Sequence, residues 1–127
     1  MRETLAQFIG EIPNIDLAGA VGTGREALSF CEKISPTLAL IDVSLPEMSG
    51  IELVRELSAA HPDVICLMLS GHQELTYIQR ALGNGAKGYV LKGDPEELLR
   101  AIEVVLNGET FLSDTVRDKL AAARKEA

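Results

Sequence analysis

The sequence contains no tryptophan, and its aromatic residues are two tyrosines and three phenylalanines. Its two cysteines, Cys31 and Cys66, form no C-x-x-C pair, so we expect reduced core residues of a cytoplasmic protein rather than a disulfide or a zinc site. Basic residues number 12 against 19 acidic ones, and the net charge of −7 argues against direct nucleic-acid binding. No apolar run is long enough to span a bilayer, and no signal segment opens the chain. These absences predict one domain of 127 residues with a core of its own and no membrane partner.

Short apolar runs alternate along the chain with segments whose apolar residues recur at helical spacing. The runs predict four strands, at residues 15–21, 37–41, 64–69 and 88–91. Thr23, Ser49 and Asp94 stand where helices are predicted to begin, because each is a capping residue followed three positions later by glutamate. A further helix is predicted over residues 1–11, and a last polar helix begins at Ser113. Such alternation predicts an α/β fold with a parallel, doubly wound sheet.

Three of the predicted strands are followed by a polar side chain: Asp42, Ser70 and Lys92. Because parallel strands bring their carboxyl ends to one edge of a sheet, these side chains can meet although they are remote in sequence. A carboxylate, a hydroxyl and an ammonium group together suit phosphoryl transfer, with the carboxylate as nucleophile and the other two groups binding phosphoryl oxygens. The alternative is a structural Asp42–Lys92 ion pair beside a turn serine.

Four segments resemble one known family. Residues 40–50 (LIDVSLPEMSG) resemble the phosphoacceptor segment of two-component response-regulator receiver domains, and residues 69–71 (LSG) resemble their hydroxyl-bearing strand end. Residues 85–92 (GAKGYVLK) are similar to the lysine strand of that family, and residues 94–102 (DPEELLRAI) to its NarL/FixJ (LuxR-type) subfamily. The resemblance implies a flavodoxin-like (CheY-like) sheet with strand order 2-1-3-4-5.

The resemblance also implies a role for each residue of the site. Asp42 would accept a phosphoryl group from a phosphohistidine of a sensor histidine kinase. Ser70 and Lys92 would bind phosphoryl oxygens, and Gly71 would leave room for the donor. Mg²⁺ would be bound by Asp42 and by the backbone carbonyl of Ser44.

The signal would then pass to an output face. Tyr89 stands at the position of the family's switch aromatic and would turn inward as Ser70 moves toward the phosphoryl group; the alternative is a strand aromatic packed on a helix. The resemblance implies homodimers through this face, and DNA binding only through an output domain that this sequence does not contain. We therefore divide the chain into a receiver domain, residues 1–112, and a C-terminal helix or start of a linker, residues 113–127.

The first strand of the family, with its two magnesium-binding acidic residues, has no counterpart here. Magnesium usually needs one or two carboxylates besides phosphate oxygens, so with Asp42 alone we expect weak or absent Mg²⁺ binding. By resemblance that strand is the central one, and without it we expect an open apolar slot between its neighbours. Three explanations stay open: the sequence begins inside the domain, a partner chain supplies the strand, or the receiver is truly divergent.

Two other functions compete with phosphoryl acceptance. Residues 22–27 (GTGREA) fit G-x-G-x-x-A after a predicted strand, and Asp42 stands where a ribose-binding acid is expected, which is typical of dinucleotide binding. Glu26 opposes this interpretation, because it lies in the first helical turn, where a pyrophosphate would be repelled. The other candidate is a degenerate receiver-like interaction module that is not phosphorylated because the acidic pair is missing.

Overall fold

The computed structural model of the chain describes residues 7, 9–13, 15–43, 48–71 and 74–126. Helices and strands alternate along this part of the chain. They are, in order, α1 (Gly24–Ile34), β1 (Leu38–Asp42), α2 (Gly50–Ala60), β2 (Ile65–Ser70), α3 (Leu75–Gly83), β3 (Gly88–Leu91), α4 (Pro95–Leu106), β4 (Phe111–Leu112) and α5 (Asp114–Glu126). Within the described ranges, no helix is long and apolar enough to cross a membrane.

The four strands form one parallel sheet in the order β1-β2-β3-β4. Leu38 pairs with Ile65, and Leu67 pairs with Gly88, so each strand along the sheet starts near the same edge. The predicted parallel α/β fold is therefore confirmed. Because all strands run the same way, their carboxyl ends share the opposite edge of the sheet.

Side chains of successive strand residues point to opposite faces, and helices cover both faces. On β2, Cys66 and Met68 belong to a core cluster shared with α2 and α3, whereas Leu67 and Leu69 belong to a second cluster built mainly on α4. The sheet is thus doubly wound, as predicted. Cys31 and Cys66 are both free and buried, which confirms that they are core residues.

The strand predicted at residues 15–21 does not form, and that prediction was wrong. Residues 16–20 are exposed, and no backbone hydrogen bond between described residues joins this segment to β1. An apolar run becomes a strand only when a neighbouring strand satisfies its N–H and C=O groups, and none of the described strands does so for residues 15–21. A short strand not foreseen in the sequence, β4, extends the other side of the sheet instead.

The helix starts agree with the sequence. The side chains of Thr23 and Ser49 each accept a hydrogen bond from the backbone N–H three residues later. The Asp94 carboxylate accepts from the backbone N–H groups two and three residues later. These caps satisfy N–H groups that a helix leaves without partners at its first turn. The helix predicted over residues 1–11 falls largely outside the described residues.

Gly50 allows α2 to start close to the end of β1. Its N–H donates to the Val43 carbonyl at 2.9 Å, and a Cβ on Gly50 would lie 2.7 Å from the Val43 Cα. That neighbour is backbone, which cannot move aside as a flexible side chain can. Only glycine fits this approach, and the approach fixes the backbone next to Asp42.

Gly50→Ala is therefore expected to lower the free energy of unfolding by about 1–3 kcal/mol, because the added methyl group forces α2 away from β1. Urea denaturation followed by circular dichroism measures this. Gly83→Ala is the control, since a Cβ there would meet no atom within 4 Å and alanine favours the helix. Equal unfolding midpoints for Gly50→Ala and the unsubstituted protein would contradict the close approach.

Candidate functional site at the carboxyl edge of the sheet

The carboxyl edge of the sheet brings together two of the side chains predicted there. Lys92, directly after β3, directs its Nζ atom to Oδ2 of Asp42, the last residue of β1, at 2.7 Å. The two residues are 50 positions apart in sequence. Their side chains are 29% and 32% exposed, so solvent reaches both. A pair this exposed contributes little to stability.

Backbone contacts position Lys92 and Ser70 on neighbouring strands. The Lys92 N–H donates to the Ser70 carbonyl at 2.9 Å, which ties the lysine segment to the end of β2. Asp42 pairs in register with Leu69, the residue before Ser70. The three predicted residues therefore end three adjacent strands. The Ser70 side chain is fully buried, however, whereas the ion pair is partly exposed.

Ser70 faces Tyr89 rather than solvent. Both residues are fully buried, and their side chains are hydrogen-bonded to each other. Burial raises the pKa of Tyr89 above its ordinary value; the Ser70 hydrogen bond opposes this rise, and the nearby Glu74 and Tyr77 side chains add to it. Tyr89 is thus already buried in this structure, whereas the resemblance implied that it turns inward as Ser70 moves toward a phosphoryl group; that movement stays a prediction.

Of the two remaining residues of the predicted site, the structure describes Gly71 but not Ser44. Gly71 follows Ser70 and is exposed, and a Cβ built on it would meet no atom of the described residues within 4 Å. Ser44, whose carbonyl was predicted to bind Mg²⁺, lies outside the described residues.

The described residues do not fit a magnesium site. Among them, no group of three or more histidine, cysteine, aspartate or glutamate residues comes together. The one carboxylate at the strand ends is Asp42, and one of its oxygens already accepts a hydrogen bond from an ammonium group. Because Mg²⁺ requires oxygen ligands in near-octahedral geometry, Asp42 alone among the described residues does not make a site for this ion.

The glycine-rich turn before α1 does not resemble a working pyrophosphate site. The N–H of Glu26 donates to the Thr23 hydroxyl oxygen at 3.2 Å, and that hydroxyl donates to the Glu26 carboxylate at 3.1 Å. The helix N-terminus therefore already holds an anion of its own chain. A pyrophosphate at this place would be repelled by Glu26 and would compete with the cap.

Ser113 was predicted only as a helix cap, and the structure gives it a larger role. Its hydroxyl oxygen accepts from the Leu91 N–H at 3.1 Å, its hydroxyl donates to the Glu97 carboxylate, and its own N–H donates to the Tyr89 carbonyl. Ser113 thus connects the strand that carries Tyr89 to α4 and to the start of α5. The sequence signal was a lone serine before a helix, which gave no hint of these distant partners.

Comparison with known proteins decides the family. Residues 1–103 match the response regulator receiver domain family. The chain belongs to this family. This receiver domain is 32% identical over 127 residues to the transcriptional regulatory protein UhpA of Escherichia coli K12, covering 99% of the chain and 63% of UhpA. It is 32% identical over 126 residues to the nitrate/nitrite response regulator protein NarL of the same organism, covering 97% of the chain and 57% of NarL.

Solved structures show the same fold. A LuxR-family two-component response regulator from Aurantimonas sp. SI85-9A1 superposes on this receiver domain with a TM-score of 0.91 at 28% identity, covering 96% of the chain and 88% of that structure. A CheY-like receiver domain protein from Methanospirillum hungatei JF-1 has a TM-score of 0.76 at 28% identity, with 84% of each chain covered. The predicted CheY-like fold and the NarL/LuxR relationship are thereby confirmed. The chain spans less than two thirds of the length of the curated relatives it matches.

The buried position of Tyr89 predicts a late alkaline titration. In Tyr77→Phe, which leaves Tyr89 as the sole tyrosine, the phenolate absorbance should rise with a midpoint above the ordinary value of about 10. Since the folded-state pKa is raised, folding stability should be intact below pH ~10 and fall as the pH rises through the folded-state value. Adding Ser70→Ala should shift the midpoint further upward. A midpoint at or below the value of the unfolded chain would contradict the buried Ser70–Tyr89 contact.

Proposed function

We propose that this receiver domain accepts a phosphoryl group on Asp42 from a phosphohistidine of a sensor histidine kinase and thereby switches an output face. The observation that carries the proposal is the 2.7 Å contact between the Asp42 carboxylate and the Lys92 ammonium at the partly exposed edge of the sheet. The carboxylate is a nucleophile, and the ammonium group offsets the negative charge that arrives with the phosphoryl group.

The transfer exchanges one bond to phosphorus for another. An Asp42 carboxylate oxygen forms the new P–O bond while the P–N bond to the donor imidazole breaks, and the nitrogen keeps the electron pair and takes a proton. The carboxylate becomes an acyl phosphate, which carries more negative charge than the free side chain. Lys92 is then the nearest described cation and binds a phosphoryl oxygen in place of Oδ2.

The switch follows from what Ser70 contacts before transfer. Its hydroxyl is shared with Tyr89, so drawing Ser70 toward a phosphoryl oxygen would disturb that hydrogen bond. Tyr89 lies on β3 and packs within the cluster that also contains Ile78 and Ala81 of α3. The output face comprises α3, β3 and α4. We propose that this face joins two receiver domains in a homodimer, and that in a longer protein any DNA binding belongs to a separate output domain.

A second function is favoured by one specific observation. The described residues bring a single carboxylate to the strand ends, and that carboxylate is held by Lys92. A receiver domain with this arrangement could serve as an interaction module that keeps the fold and the output face without becoming phosphorylated. Phosphoryl labelling separates the two functions.

Incubation with acetyl phosphate and MgCl₂, followed by intact-mass analysis, should show one added phosphoryl group on the unsubstituted protein and none on Asp42→Asn. The amide removes the nucleophile but keeps an oxygen for Lys92. Asp63→Asn, at an exposed acid before β2, is the matched control and should be labelled normally. Labelling of Asp42→Asn at the same level would refute the site, and unlabelled wild-type protein would favour the interaction module.

Lys92→Ala should lose the conformational response to phosphorylation even in molecules that carry the phosphoryl group. Without the ammonium group the acyl phosphate loses its cation. We therefore expect the proposed acetyl-phosphate-dependent dimerisation, measured by sedimentation velocity, to be lost even where labelled protein is present. Lys87→Ala removes an exposed lysine of the same segment as the control and should respond normally. An unchanged dimerisation response in Lys92→Ala would rule out Lys92 as the group that couples modification to the output face.

A further inference from the structure

The backbone segment that carries Lys92 is held by hydrogen bonds on both of its sides. Successive residues of a strand direct their N–H groups to opposite neighbours. On the side of β2, the Lys92 N–H donates to the Ser70 carbonyl at 2.9 Å. On the side of β4, the Leu91 N–H donates to Oγ of Ser113 at 3.1 Å. The position from which the Lys92 side chain reaches the site therefore depends on Ser113 as well as on β2.

The Ser113 side chain takes the place of a backbone carbonyl in the sheet. Its N–H donates to the Tyr89 carbonyl at 3.1 Å, as the next residue of β4 does in a parallel ladder. In such a ladder its carbonyl would accept from the Leu91 N–H, but that carbonyl accepts from the Arg117 N–H at 2.9 Å. The hydroxyl oxygen accepts from Leu91 instead. The chain can thus turn from β4 into α5 at this residue while β3 keeps its hydrogen bond.

Glu97 orients the Ser113 hydroxyl from the first turn of α4. At the start of α1 the corresponding glutamate, Glu26, accepts from the hydroxyl of its own cap residue, Thr23. The cap of α4 is Asp94, whose carboxylate has no proton to donate. Glu97 accepts from the Ser113 hydroxyl, 16 residues further along the chain. The acidic cap therefore leaves the Glu97 carboxylate available to a distant donor.

The two hydrogen bonds of the Ser113 hydroxyl strengthen each other. Donation to the Glu97 carboxylate polarises the hydroxyl, so its oxygen becomes a better acceptor for the Leu91 N–H. Ser113 is 3% exposed, so water does not readily replace either partner. A displacement of the backbone at Leu91 must therefore move the Ser113 hydroxyl or break one of its two bonds.

We propose that Ser113, oriented by Glu97, is a positioning residue for Lys92 and passes a displacement of the Lys92 segment to α4 and α5. This inference rests on the proposed function, in which the Lys92 ammonium leaves Oδ2 of Asp42 for a phosphoryl oxygen. Ser113 contacts neither that carboxylate nor the ammonium group in the described hydrogen bonds. It acts through the backbone of Leu91, which directly precedes Lys92.

The first test uses the unphosphorylated protein, so its result does not depend on phosphoryl acceptance. Ser113→Ala and Glu97→Met should each speed amide hydrogen exchange at Leu91 about tenfold, because each weakens the bond from that N–H. Glu97→Gln keeps an acceptor oxygen for the Ser113 hydroxyl and should retain most of the protection. Glu96→Met, at an exposed position of the same helical turn, is the matched control and should exchange like the unsubstituted protein.

The second test measures the response to labelling with acetyl phosphate and MgCl₂, with the label confirmed by intact mass. Labelling should change exchange at the Arg117 amide by at least about fivefold in the unsubstituted protein and in Glu97→Gln. The same change should be absent from labelled Ser113→Ala and labelled Glu97→Met. The double variant should behave like either single variant, because both substitutions break one chain of hydrogen bonds. A purely structural role would alter the starting exchange rate and leave the response to labelling intact.

Two results would overturn the proposal. Unchanged Leu91 exchange in Ser113→Ala, or equal exchange in Glu97→Met and Glu97→Gln, would refute the positioning role whatever happens at Asp42. An equal Arg117 response in labelled Ser113→Ala and labelled unsubstituted protein would refute the transmission to α5. If the unsubstituted protein takes no label, phosphoryl acceptance fails and the transmission fails with it, while Leu91 exchange still decides the positioning role.

Discussion

The parallel register of β1, β2 and β3 is the constraint on which the site depends. Asp42 pairs with Leu69 and Ser70 with Leu91, so residues that close three separate strands share one edge. The 2.7 Å contact between Asp42 and Lys92 is a consequence of that register rather than its cause, since an exposed ion pair is too weak to set strand pairing. A slip of β3 by one residue would turn Tyr89 to the face of α4 and remove it from Ser70.

Much of this arrangement could be predicted from the sequence, because the apolar runs stop where the polar side chains begin. β1, β2, β3 and the capped helices are encoded locally, and for them the prediction and the structure agree to within a residue or two. Residues 15–21 show where such reasoning fails. Their apolar pattern is as strand-like as that of β1, yet strand formation also requires a neighbouring backbone, which no local pattern contains. β4 shows the opposite case, a strand that no local pattern predicted. Phe111 and Leu112 form it because Gly88 and Tyr89 of β3 lie beside them and pair with them.

Ser113 illustrates a second limit. A serine before a polar helix predicts a cap, but β4 draws this residue to the edge of the sheet, where its hydroxyl bonds to Leu91 and Glu97. Its N–H meanwhile bonds to the Tyr89 carbonyl. Displacement of Ser70 would therefore act on Tyr89 directly and on the start of α5 through the backbone of β3. Val116 of α5 is fully buried in the same cluster as Tyr89, so this helix packs against the core that surrounds Tyr89.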